Sequence, residues 1–69
     1  MNRVTEETLA SRELWRLYPG RDAFIRRRRF SWSAELVNPG QIGPPYRTTV
    51  VAEATSVAEL MAQLLELQR

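Results

Sequence analysis

The chemistry this sequence can offer is concentrated in one place, where five arginines fall within nine positions: Arg21 and the run Arg26-Arg27-Arg28-Arg29. A guanidinium group presents paired, planar donors that match the geometry of phosphate and carboxylate. Such a cluster suits recognition of a polyanion. Phe24, Phe30, Trp32 and Tyr46 are interleaved with or follow the run, and Arg47 adds a further cation. Cations alternating with rings are the composition of a platform on which nucleic-acid bases stack. The candidate contact residues are therefore Arg26, Arg27, Arg28, Arg29, Arg47 and Trp32. Their expected partner is a nucleic acid or a protein complex with an acidic groove, including a groove that normally holds nucleic acid. Two ordinary roles compete with this one. The arginines also suit a solvated strand end that pairs with Glu35, Glu53 and the first helix, and the six aromatic residues of the chain are material for a small core.

Other chemistries are limited by what is missing. There is no His, so the commonest general base and metal ligand is absent, and no Cys, so there is no thiolate, disulfide or cysteine zinc site. All ten positive charges are Arg, which excludes a Schiff-base lysine and the lysine of a phosphate-binding loop. Exclusive use of Arg also fits high-GC coding. An enzyme would have to work through Asp22, Glu35 or Glu53 with Ser or Tyr. The expectation is a protein that is not an enzyme and takes no cofactor and no metal.

The net charge of +2 divides unevenly. Residues 1–29 carry eight Arg against Glu6, Glu7, Glu13 and Asp22, a balance of +4. Residues 30–69 carry Arg47 and Arg69 against Glu35, Glu53, Glu59 and Glu66, a balance of −2. No apolar run reaches the roughly 18 residues of a membrane span, and the N-terminus lacks the apolar segment of a secretion signal. A cytoplasmic protein with no membrane partner is expected.

The elements that must position the arginines can be read from periodicity. With 43% hydrophobic residues over 69 positions, one domain is expected across residues 1–69. Thr5 followed by Glu6 and Glu7 reads as a helix start, with Val4 and Leu9 at staple positions. Leu9, Leu14, Leu17 and Tyr18 then share a face until Pro19-Gly20 stops the helix. From residue 23 to 37 the period changes to two. One face of this strand carries Phe24, Arg26, Arg28, Phe30, Trp32, Ala34 and Leu36 and is expected to point inward. The other carries Ile25, Arg27, Arg29, Ser31, Ser33, Glu35 and Val37. Asn38-Pro39-Gly40 has turn chemistry, Gly43-Pro44-Pro45 stiffens the return, and a second strand follows over residues 46–54. Within that connection Ile42 is an apolar residue placed to dock or merely to be carried.

A final helix is marked by the capping-box spacing of Ser56 and Glu59, with Val57, Leu60, Met61, Leu64, Leu65 and Gln68 at intervals of three and four. The fold class is thus α+β, with helix, strand, strand, helix in order and an antiparallel β-hairpin covered by two helices. Leu60, Met61, Leu64 and Leu65 give the last helix a broad apolar surface, either core or the face of a homodimer or partner helix.

The stretch from Val50 through Ala54-Thr55-Ser56-Val57 to Leu60, running on to Leu65-Glu66-Leu67, resembles the second strand and last helix of phage head–tail joining proteins of the gpW type. The resemblance covers about a quarter of the chain and implies a structural protein of a phage particle. The four-arginine run and the proline-containing loop depart from that family's tight hairpin. From the residues themselves the expected function is a small non-enzymatic binding protein, of the kind phages and mobile elements encode as inhibitors of a larger host complex, acting through the arginine-rich hairpin.

Overall fold

The computed structural model describes residues 5–68. The chain forms α1 (Glu6–Leu17), β1 (Ala23–Arg27), β2 (Trp32–Val37), β3 (Thr48–Ala54) and α2 (Val57–Glu66), an α+β arrangement of two helices and a three-stranded antiparallel sheet in the order β1-β2-β3. The helices lie side by side on one face of the sheet, α1 against β1 and α2 across β3 and β2.

Both helices begin where the cap chemistry places them. The Thr5 hydroxyl accepts the Thr8 N–H at 3.1 Å, and Glu6 and Glu7 sit in the first turn, where the helix dipole favours carboxylates. The Ser56 hydroxyl accepts the Glu59 N–H at 3.1 Å, while the Glu59 carboxylate takes the Thr55 hydroxyl at 3.0 Å. Val4, the other half of the expected staple, lies outside the described residues; Leu9 is 45% exposed. At the turn after β2, Gly40 has φ of +80°, a left-handed conformation that only glycine adopts without strain.

The expected strand over residues 23–37 is two strands, so the hairpin becomes a sheet of three. The chain reverses over Arg29 and Phe30, closed by the Arg28 N–H donating to the Ser31 carbonyl at 2.8 Å. Two-residue hairpin loops favour Gly or Asn at positive φ. Neither Arg29 nor Phe30 has positive φ, and with no Gly or Asn at either position the usual sequence signal for this turn is missing.

The reversal also changes which side chains face the helices. Ile25 pairs with Ala34 and Ala23 with Leu36, so Ala23, Ile25 and Arg27 share the helix-side face with Trp32, Ala34 and Leu36. Phe24 and Arg26 go to the opposite, open face. Phe30, expected inward, is 81% exposed at the turn, and Ser33 and Glu35, expected in solvent, are fully buried. A second parity change occurs in β3. Ala34 pairs with Ala52 but Glu35 pairs with Val50, so Val51 is a bulged residue. The bulge lets Val51 pack toward the core and turns Thr48 and Val50 to the open face.

The core is thin. Ala10, Ala34, Ala52 and Ala54 bring the helices close to the sheet, and Leu14, Leu60 and Leu64 are the large apolar side chains shut completely from solvent. Leu17, Tyr18, Trp32 and Met61 seal its margin. Because three leucines carry so much of the apolar burial, Leu64→Ala is expected to cost about 2–5 kcal/mol, against about 1 kcal/mol for Ser56→Ala at the helix cap. Chemical denaturation of the two variants measures both, and the first is a large fraction of the stability of a domain of this size.

Candidate functional site

The arginine run is divided by the sheet. Arg26 and Arg28 reach onto the open face, where they converge on Glu35 at the centre of β2. Arg26 Nε and Arg28 Nη2 both lie 3.2 Å from Glu35 Oε2. The Ser33 hydroxyl donates to the same oxygen at 2.6 Å and accepts from Arg28 Nε at 3.2 Å, so it relays one arginine to the carboxylate. The Thr48 hydroxyl, brought to this face by the bulge, donates to Oε1 at 2.6 Å. Arg28 Nε also stands 3.8 Å from the Glu53 carboxylate. Arg26 lies over the Phe24 ring, 5.3 Å from its centre.

No helix covers this face, yet the Glu35 side chain is inaccessible to solvent. It lies one layer beneath the surface, with Phe24 and Val50 beside it on the neighbouring strands and the arginines above, their side chains 46% and 41% exposed. Burial pushes its carboxyl up. The hydrogen bonds from Ser33 and Thr48 and the charges of Arg26 and Arg28 push it down, and together they win, leaving it below the usual carboxylate range. Among the described residues no buried side-chain N or O atom lacks a partner.

The other two arginines are placed differently. Arg27, the last residue of β1, lies over the Trp32 ring at 5.6 Å, and Arg29, at the reversal, lies over the Phe30 ring at 5.2 Å. No described carboxylate lies within ion-pair distance of either. Both are exposed, as is Phe30. Trp32 is half-buried, one side against the core and the other under Arg27. The closed end of the β1–β2 hairpin is thus a small platform of two unneutralised guanidinium groups and two rings.

Of the remaining candidates, Arg47 is exposed but sits just before β3, beside the far end of β2; five residue steps separate that end from Trp32, about 16 Å. It belongs to a different part of the surface. Leu60 and Leu64 are wholly buried within the chain and have no surface to offer a second copy, whereas Met61 is half-buried and Leu65 is 46% exposed. Ile42 is 99% exposed in the long loop. The reading of sequence missed Glu35, Ser33 and Thr48 as a unit. The available signal was a glutamate among apolar residues in Trp32-Ser33-Ala34-Glu35-Leu36-Val37, which period-two alternation assigned to solvent.

Two open clefts accompany the platform. One, of about 220 Å³, lies between the chain after α1 and the loop after β2, lined by Arg21, Asp22, Asn38, Gln41 and Tyr46 among others. The other, of about 250 Å³, runs between the N-terminal turns of the helices, lined by Glu6, Leu9, Val57, Ala58 and Met61. Both are below the size of a site for a drug-sized ligand. Among the described residues no three His, Cys, Asp or Glu side chains come together as a metal site, and no helix is long and apolar enough to cross a membrane. Compared with protein-family models, with curated proteins and with solved structures, the chain matches none.

The division of the arginines has opposite consequences for stability. R26A/R28A leaves the buried Glu35 carboxylate without its counter-charges, for an expected loss on the order of 2–3 kcal/mol. R27A/R29A removes exposed groups and is expected to change stability by less than about 0.5 kcal/mol. Thermal melts of the two variants make the comparison directly. Acid should act on the same network. A carboxyl held below its usual pKa in the folded state stabilises fully above the unfolded value, about 4.3, and loses that contribution as the pH falls through the folded value. Melting temperatures recorded from pH 7 down to about pH 3 are therefore expected to fall more steeply in the wild type than in Glu35→Gln.

Proposed function

We propose that this protein is a small non-enzymatic binding protein that engages a polyanionic partner through the closed end of its β1–β2 hairpin. The observation that carries this reading is the asymmetry within four consecutive arginines. Two are consumed by a carboxylate network within the fold. The other two are left exposed, with no described carboxylate at ion-pair distance, at the hairpin turn beside an exposed aromatic ring. The network explains Arg26 and Arg28 as structural groups, and it also fixes the direction of the strand end that presents Arg27 and Arg29. Folding gives no comparable reason for the second pair, since adjacent like charges repel and neither finds a carboxylate among the described residues. A guanidinium stacked on a ring is held in place while its edge remains free to donate, which lowers the ordering cost when phosphate or carboxylate binds. The alternative, a structural protein of a phage particle, rests on the resemblance of residues 50–67 alone.

Heparin chromatography tests this reading. Wild-type protein is expected to be retained and to elute with salt, R27A/R29A to elute distinctly earlier with an unchanged melting temperature, and R47A to elute close to wild type. Co-elution of R27A/R29A with the wild type would remove the hairpin end as the contact surface.

A further inference from the structure

We infer that the polyanion recognised at the hairpin end is single-stranded nucleic acid, with Phe30 as a stacking surface for a base and Arg27 and Arg29 as donors to the flanking phosphates. This rests on the hairpin end being the contact surface, and it goes further by naming the partner.

Three features of the platform select that partner. Phe30 is 81% exposed and its neighbour Arg29 lies over the ring, so a large apolar face is held outward at the most protruding point of the hairpin. A partner offering only carboxylates would satisfy the arginines and leave this face in water. A single strand offers both groups in alternation, phosphates for the guanidinium edges and unstacked bases for the ring, and base–aromatic stacking operates with any base.

Second, a duplex keeps its base faces within the stack. Inserting Phe30 there costs a few kcal/mol of unstacking per step, which architectural proteins recover over large wrapped surfaces. A platform with two unneutralised arginines has no such surface.

Third, the basic patch is narrow and bordered by acid. β3 runs antiparallel to β2, so Glu53 and the start of α2 with Glu59 lie at the same end of the sheet as Trp32 and the turn. Glu6, at the start of α1, lines the groove shared with Val57 and Ala58 at that end. A rigid duplex or a broad acidic protein surface approaching the turn would bring its own negative charges against Glu6, Glu53 and Glu59. A flexible single strand can cross the turn and bend away.

The test is fluorescence anisotropy at low salt, with labelled single-stranded DNA and RNA of about 20 nucleotides, a duplex of about 20 base pairs and polyglutamate of matched charge. At least one single strand is expected to bind about tenfold or more tighter than duplex and polyglutamate. F30A is expected to weaken single-strand binding by about fivefold or more, the lower end of what one lost stacked base costs, without changing the salt dependence. R27A/R29A should instead reduce the slope of log K against log salt by about 1.4, roughly 0.7 per phosphate contact. Because Phe30 is exposed, a melting curve for F30A should match the wild type. Duplex or polyglutamate binding as tight as the single strands, or an F30A variant that binds them like wild type, overturns the inference while leaving the hairpin end as a polyanion contact if R27A/R29A still weakens binding. No binding to any of the four probes overturns both readings.

Discussion

The burial of one carboxylate organises the open face of the sheet and the β1–β2 hairpin beside it. Glu35 sits at the centre of the middle strand on the face without helices, where an unpartnered charge excluded from solvent would carry a penalty of several kcal/mol. It is tolerated because four side chains from three strands and a turn converge on it: Arg26 from β1, Arg28 from the reversal, Ser33 from β2 itself and Thr48 from β3. Ion pairs of this kind contribute little net stability once desolvation is counted. Their stronger effect is specification, since the donors must stand in one arrangement for the charge to be satisfied. The network ties the outer strands across the middle one, is satisfied in the observed register of the hairpin, and engages Arg26 and Arg28 while leaving Arg27 and Arg29 outside it.

That division turns a like-charged run into two different surfaces. The open face around Glu35 carries Arg26 and Arg28 against Glu35 and Glu53 and is balanced in charge. The closed end of the hairpin carries Arg27 and Arg29 with aromatic partners. A chain with so thin a core, in which alanines line the sheet and three leucines fill the interior, has little apolar material to spare for rigidity at its extremities. The polar network on the other side of the sheet cross-links the three strands near the turn.

The helices are fastened to the sheet and to each other by further side-chain hydrogen bonds. The Trp15 indole N–H donates to the Ala23 carbonyl at 2.8 Å, fastening α1 to the start of β1, and Arg16 and Gln68 join α1 to the end of α2. The Gln63 side chain donates to the Glu53 carbonyl at 2.9 Å, covering part of the outer edge of β3. The edges of a small sheet are open to unwanted pairing, and here one carries consecutive arginines while the other is partly capped by α2.

What the sequence determined by itself was local. Thr5 and Ser56 marked both helix starts, Pro19-Gly20 ended α1, and the spacing of Val57, Leu60 and Leu64 named the buried face of α2, because caps and helical periodicity depend on residues within a few positions of one another. The division of the class into helices and antiparallel strands followed from the same local rules. The third strand did not, because Arg29-Phe30 reverses the chain with no glycine, proline or asparagine to announce it, and period-two alternation carried through the turn puts Phe24 and Ile25 on each other's faces. The bulge at Val51 was equally silent, yet it alone moves Thr48 onto the face of Glu35. Glu35 could be seen as a possible partner for the arginines, but which arginines it holds depends on the register of three strands. Register is set by packing against the helices and by the cost of leaving a buried charge unpaired, and both are properties of the assembled fold.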